Sequence, residues 1–218
     1  MKIGIINAGN IGRTLAQPWH QAGHQLMLSK QGTQKKLDQF LPQIQGATKG
    51  TPQQVAEFGE VVLFSVYWQN VEEVLAQVGD LAGKIVIDTI NPLKVNEKFE
   101  HTHDLEFMAN NSTSELLQQR LPNARVVKAF STMPAVVLDE KQWSNNPVKP
   151  AIFIAGDDRS AKEVVAQLAK DAGFTGMDAG SLANGRYIEQ MGVLLHHIGT
   201  HHFDGDYSRL APTFLRAS

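Results

Sequence analysis

Short, nearly unbroken apolar runs alternate with longer stretches of helical periodicity along the whole chain. Lys2-Ile3-Gly4-Ile5-Ile6 predicts a buried strand, and a turn leads from it into an amphipathic helix over residues 10–22. Residues 25–28, 61–66, 85–87, 126–130, 151–155 and 175–177 predict further strands. Thr51-Pro52-Gln53-Gln54 is a helix start, with a Thr cap, Pro at the first helical position and Gln at the third. Ser112-Thr113-Ser114-Glu115 is a second capping box, and helical patterns run over 70–78, 159–172 and 181–200. The polar stretch 91–111 is long for a plain connection and reads as a loop flanking a site. Apolar strands alternating with helices predict an α/β chain whose mostly parallel sheet is covered on both faces.

Composition narrows the function. The 218 residues suit one domain, or one with a small appendage, which we place as 1–142 and 143–218. A formal net charge of -2 argues against a nucleic-acid or membrane-surface partner. With no cysteine there are no disulfides, thiolate metal sites or thiol nucleophiles. The start of the chain reads as neither signal peptide nor membrane span, so a soluble, cytoplasmic protein is expected.

The strongest local signal is Ile5-Ile6-Asn7-Ala8-Gly9-Asn10-Ile11-Gly12, a strand passing through a glycine turn into a helix. In the dinucleotide fingerprint the second glycine lets backbone approach a pyrophosphate and the third lets helix and strand pack closely. Gly9 and Gly12 take those places. Asn7 stands for the first glycine, a position that Asn tolerates because it enters left-handed backbone conformations. An ordinary βα turn is the plain alternative; the strand and helix around the motif favour dinucleotide binding.

An acid after the second strand would bind the ribose hydroxyls of NAD. Here the first acid is Asp38, preceded by Lys2, Arg13, Lys30, Lys35 and Lys36. Ser29 and Lys30 stand where the strand ends, with Lys35 about a turn further on. Such a field attracts a 2′-phosphate, so NADP is expected.

Several segments then resemble a known family. Ala8-Gly9-Asn10-Ile11-Gly12, Val66-Tyr67-Trp68, Asn91-Pro92, residues 128–135 and residues 178–184 are similar to the NADP oxidoreductases that use the deazaflavin coenzyme F420. The same fold resembles the cytoplasmic reductase domain of the six-transmembrane metalloreductases. The resemblance implies a doubly wound Rossmann-type sheet, a small C-terminal helical portion and a homodimer. By position it implies that Ala8 to Gly12 hold the pyrophosphate and that Ser29, Lys30 and Lys35 hold the 2′-phosphate. Val66, Tyr67, Trp68, Asn91 and Pro92 would wall the ribose and nicotinamide, with Ala135 near the ring. Two positions depart from the family pattern: Lys30 replaces the common arginine, giving a point charge instead of a bidentate fork, and Tyr67 replaces a proline.

The function expected is hydride transfer between NADP(H) and a small-molecule acceptor, F420, FMN or FAD. Two rings held face to face in a dry cleft need no protein acid or base, so no side chain is expected to be catalytic. A Rossmann reductase of a small organic substrate, or a non-catalytic NADP(H) sensor, are the rival readings. The histidine pairs 101/103, 196/197 and 201/202 suit a dimer-facing or helix-capping role better than a metal site, because His197 and His201 lack a third ligand and the helix is expected to end near Gly199. Asp88 reads equally as a ligand-facing carboxylate or a turn former. Met191, Leu194, Leu195 and Ile198 form an apolar stripe that a second subunit would cover.

Overall fold

The computed structural model describes residues 1–29, 35–95, 101–203 and 210–214. The chain runs β1 (Lys2–Ile6), α1 (Asn10–Gln21), β2 (Gln25–Leu28), α2 (Lys35–Phe40), β3 (Thr48–Lys49), α3 (Pro52–Phe58), β4 (Val61–Phe64), α4 (Val71–Val78) and β5 (Ile85–Asp88). A hairpin of β6 (Leu93–Val95) and β7 (His101–His103) follows, then α5 (Leu105–Met108), α6 (Thr113–Arg120) and β8 (Arg125–Lys128). The last elements are β9 (Ala151–Gly156), α7 (Arg159–Asp171), β10 (Thr175–Asp178) and α8 (Gly185–His202).

Eight strands form one sheet in the order β10-β9-β8-β5-β4-β1-β2-β3. All neighbours are parallel except β8 and β9, which pair antiparallel only at Val127–Gly156 and Lys128–Ala155. The mostly parallel, doubly wound sheet is therefore as expected. The reversal at β9 follows from the absence of a crossover helix between β8 and β9: a loop with one 3-10 turn, Glu140–Trp143, brings the chain back.

The central strands are buried on both faces, which is why they read as continuous apolar runs. On one face α1 and α7 pack together. Trp19 is fully buried there; its indole N–H donates to Leu168 O at 2.9 Å and its ring meets Phe130 edge-on at 5.9 Å. On the other face α3, α4 and α6 bury Val55, Val74 and Leu117 against Val62, Phe64 and Val86. Thr51 and Gln54 make the reciprocal capping box at α3. At α6 the Ser112 hydroxyl accepts from Glu115 N–H, but the Glu115 carboxylate is engaged by Arg186.

The pattern misled in three places. Residues 91–111 hold the β6–β7 hairpin and α5 rather than plain loop. Their strands are short and their polar side chains hide the period-2 signal. The last helix does not end near Gly199 but continues to His202, so all four C-terminal histidines lie on it. It also begins later than expected, after a 3-10 turn at Leu182–Asn184.

Candidate functional site

Strand order reverses at β1, which lies between β2 and β4, and open α/β sheets bind ligands outside the carboxyl ends of strands at such a point. A cleft of about 370 Å³ opens there. Its walls are Asn7, Gly9, Asn10 and Ile11 after β1, Ser65, Val66, Tyr67 and Trp68 after β4, and Thr89, Ile90 and Asn91 after β5. Arg13, Lys36, Leu93 and Ala135 complete it.

The turn after β1 is built as its residues demand. Asn7 has φ 57°, the left-handed region that favours glycine or Asn, and its side-chain amide donates to Ser65 O at 2.9 Å. Gly9 is the N-cap of α1, whose first turn carries no acid. The first bond of the new helix is Arg13 N–H to Gly9 O at 3.1 Å, so the N–H groups ahead of it sit at the end that favours an anion. A β-carbon on Gly9 would find no protein atom nearer than Asn7 O at 3.7 Å, so the open side of that glycine belongs to the cleft. On Gly12 it would stand 2.8 Å from Ile5 Cγ2, where helix and strand touch.

Ser29 closes the same turn from β2. It is buried; its carbonyl accepts from Ala8 N–H at 2.6 Å and its hydroxyl from Asn7 N–H at 3.3 Å. Ala8 is also buried, and its carbonyl receives Arg13 Nη1 at 2.9 Å, while Arg13 Nη2 donates to Asn10 Oδ1 at 2.9 Å. Among the described residues, that fixed guanidinium and Lys36 are the cations of the cleft wall. Among the described residues the lining holds no carboxylate, and Asp38 is instead paired with Lys49 at 2.6 Å. Lys35 is exposed and stands outside the lining, and Lys30 lies outside the described residues.

At the opposite end, Trp68 packs against Phe107 of α5 with ring centroids 4.6 Å apart, while Tyr67 is 62% exposed. Asn91 donates its side-chain amide to Ser131 O at 2.6 Å, tying the end of β5 to the end of β8. Pro92 is buried behind the wall, where its carbonyl accepts from Asp104 N–H at 2.8 Å. Beside Ser131, Phe130 has φ 59°, a strained conformation for a bulky residue at the carboxyl edge of the sheet. A second groove of about 390 Å³ shares Asn10, Arg13 and Ala135 with the cleft and runs past Gln17, Gln21 and Phe40.

Asp88 is fully buried and faces away from the cleft, so its ligand-facing reading is replaced by a structural one. Its Oδ1 accepts from Ile90 N–H at 2.8 Å, and Oδ2 receives Ser114 Oγ at 2.6 Å and Lys128 Nζ at 3.1 Å. Sequence reasoning did not single out Arg13 as a cleft residue, nor Ser65, Thr89, Ile90, Leu93 or the Lys128 cluster. Only the helical offset of Arg13 from Gly9 could have shown it. Along α8, His197 and His201 stack with centroids 6.3 Å apart, and no group of three His, Asp or Glu suited to a metal ion occurs among the described residues.

The chain that carries this turn is similar to known proteins. Residues 2–92 match the family described as NADP oxidoreductase, coenzyme F420-dependent. Over 142 residues the chain is 33% identical to the F420-dependent NADP reductase of Methanocaldococcus jannaschii, covering 64% of this chain and 62% of that protein. The chain is homologous to these reductases. It is also 28% identical over 194 residues to metalloreductase STEAP3 of Rattus norvegicus, covering 89% of this chain but 37% of that protein. The chain thus spans less than two thirds of the length of both curated relatives. A solved structure of a candidate F420-dependent NADP-reductase from Arthrobacter sp. FB24 superposes with a TM-score of 0.85 at 25% identity, covering 99% of this chain and 100% of that one. No described helix of our chain is long and apolar enough to cross a membrane.

Proposed function

We propose that the chain binds NADP(H) in the cleft after β1, β4 and β5 and passes hydride between it and a flavin-like or deazaflavin acceptor, F420, FMN or FAD. One observation carries this reading: a glycine turn open to the cleft at the N-terminus of α1, flanked by Arg13 and Lys36 and free of described carboxylates. The pyrophosphate would lie against Gly9 to Ile11, and the 2′-phosphate would be drawn by the cations at the β2 side of the cleft. When bound, the nicotinamide would supply or take up the hydride.

The chain's own work is binding, orientation and exclusion of water. Trp68, backed by Phe107, gives a fixed apolar wall; Asn91, held by Ser131 O, gives a fixed polar one. The cleft wall offers no described carboxylate or histidine to move a proton, which suits hydride transfer between two rings. Titration of nucleotide fluorescence tests the reading, followed by NADPH oxidation with F420 and with FMN. Binding and turnover with either acceptor support it; absence of NADPH binding removes it. We further propose that the protein works as a homodimer through α8, whose Leu194 is 58% exposed.

A further inference from the structure

Behind the cleft lies a group of buried charges that hydride transfer does not use. Lys128 at the end of β8 and Asp88 at the end of β5 are fully buried, and Glu189 of α8 is 1% exposed. Lys128 Nζ stands 2.7 Å from Glu189 Oε1, 2.9 Å from Thr113 Oγ1 and 3.1 Å from Asp88 Oδ2, and it donates to Ile90 O. Glu189 Oε1 also accepts from Thr113 N–H at 2.9 Å, while Oε2 is buried with no hydrogen-bond partner.

The consequence falls on one residue of the cleft wall. Ile90 has its N–H taken by Asp88 Oδ1 at 2.8 Å and its carbonyl taken by Lys128. Both backbone polar groups of Ile90 are therefore fixed from behind, and its neighbours Thr89 and Asn91 line the cleft with it. Burying two carboxylates and an ammonium is expensive, and apolar residues of similar volume would stabilise a fold as well. Burial holds the Glu189 carboxyl above its ordinary range, and Asp88 adds to this against the pull of Lys128. For Lys128 burial works against the charge, and Asp88 and Glu189 outweigh it.

We propose that Lys128, anchored by Glu189 of α8, is a positioning residue that sets the Thr89–Ile90–Asn91 wall for the nicotinamide half of the nucleotide. This rests on the NADP(H) reading. The adenosine half meets other elements, the turn after β1 and the region of Lys36, and does not depend on the cluster.

The two halves can be probed separately by titrating the whole chain with NADPH and with adenosine 2′,5′-bisphosphate, which lacks the nicotinamide. In Lys128→Met, NADPH should bind about tenfold more weakly while the bisphosphate is unchanged. Glu189→Gln, whose amide oxygen can still accept from Lys128 and Thr113, should weaken NADPH less than Lys128→Met does and leave the bisphosphate unchanged. Because Lys128→Met leaves two buried carboxylates without their cation, the double variant Lys128→Met/Glu189→Gln is the second arm. It removes one of those charges and should show the same selective loss. Equal loss of both ligands, unchanged NADPH affinity, or a double variant that does not fold would each overturn the proposal. A wild-type chain that binds bisphosphate and NADPH equally would also overturn it, whereas one that binds neither removes the nucleotide reading itself.

Discussion

Gly12 approaches Ile5 so closely that a β-carbon on it would stand 2.8 Å from Ile5 Cγ2. Three residues earlier, the same atom on Gly9 would meet nothing nearer than 3.7 Å. Two glycines of one motif therefore serve different ends, one the packing of α1 on β1 and the other the cleft. Gly12→Val should lower stability by about 1–3 kcal/mol through overpacking. Gly9→Val should leave the melting temperature nearly unchanged and abolish NADPH binding. Retention of NADPH affinity in folded Gly9→Val would show that the turn is structural only.

Cofactor preference is predicted from Lys36, the lysine of α2 that lines the cleft. Lys36→Ala should weaken NADPH by about 1 kcal/mol, several-fold in affinity, and leave NADH where it was. The check is a pair of titrations at one ionic strength, because the contact is screened by salt. Identical NADPH curves for wild type and variant would count against Lys36.

Acid stability should depend on Glu115. Its carboxylate receives Arg186 Nε and Nη2, each at 2.7 Å, and these bonds hold it below the ordinary glutamate value of 4.5, with Ser112 helping. A carboxyl lowered in the folded state contributes stability above its unfolded value and loses it as pH falls through the folded one. Glu115→Gln should therefore flatten the acid limb of a plot of melting temperature against pH. Superimposable limbs would refute this. Glu189 acts in the opposite sense: raised by burial, it favours the fold at low pH and loses that contribution as pH rises.

The dimer can be tested without disturbing the monomer. Leu194 is 58% exposed, so Leu194→Glu buries no charge in the single chain. Light scattering should show a doubled mass for wild type and 24.0 kDa for the variant. A wild-type mass of one chain at micromolar concentration would sink the dimer.

Much of the scaffold was legible in local chemistry. Asn7 could be assigned a left-handed backbone because few residues other than glycine enter it, and its φ of 57° agrees. The cap at Thr51 follows from donors and acceptors a few residues apart, and β2 and α1 from the apolar pattern of their own residues. The β6–β7 hairpin was not legible, since three-residue strands give no period to read.

The order of apolar runs and the glycine turn by themselves determined a strand–helix alternation, a parallel sheet and the strand end at which the turn lies. Only tertiary structure decided which cations face the cleft: Lys36 lines it and Lys35, its neighbour, does not. It alone joined Asp88, Lys128 and Glu189, which lie 40 and 61 residues apart in sequence, into one buried cluster. The reason is physical. A backbone conformation or a cap is settled by atoms within a few bonds, whereas a buried charge is tolerated only where distant strands and a helix bring its partners within hydrogen-bonding reach.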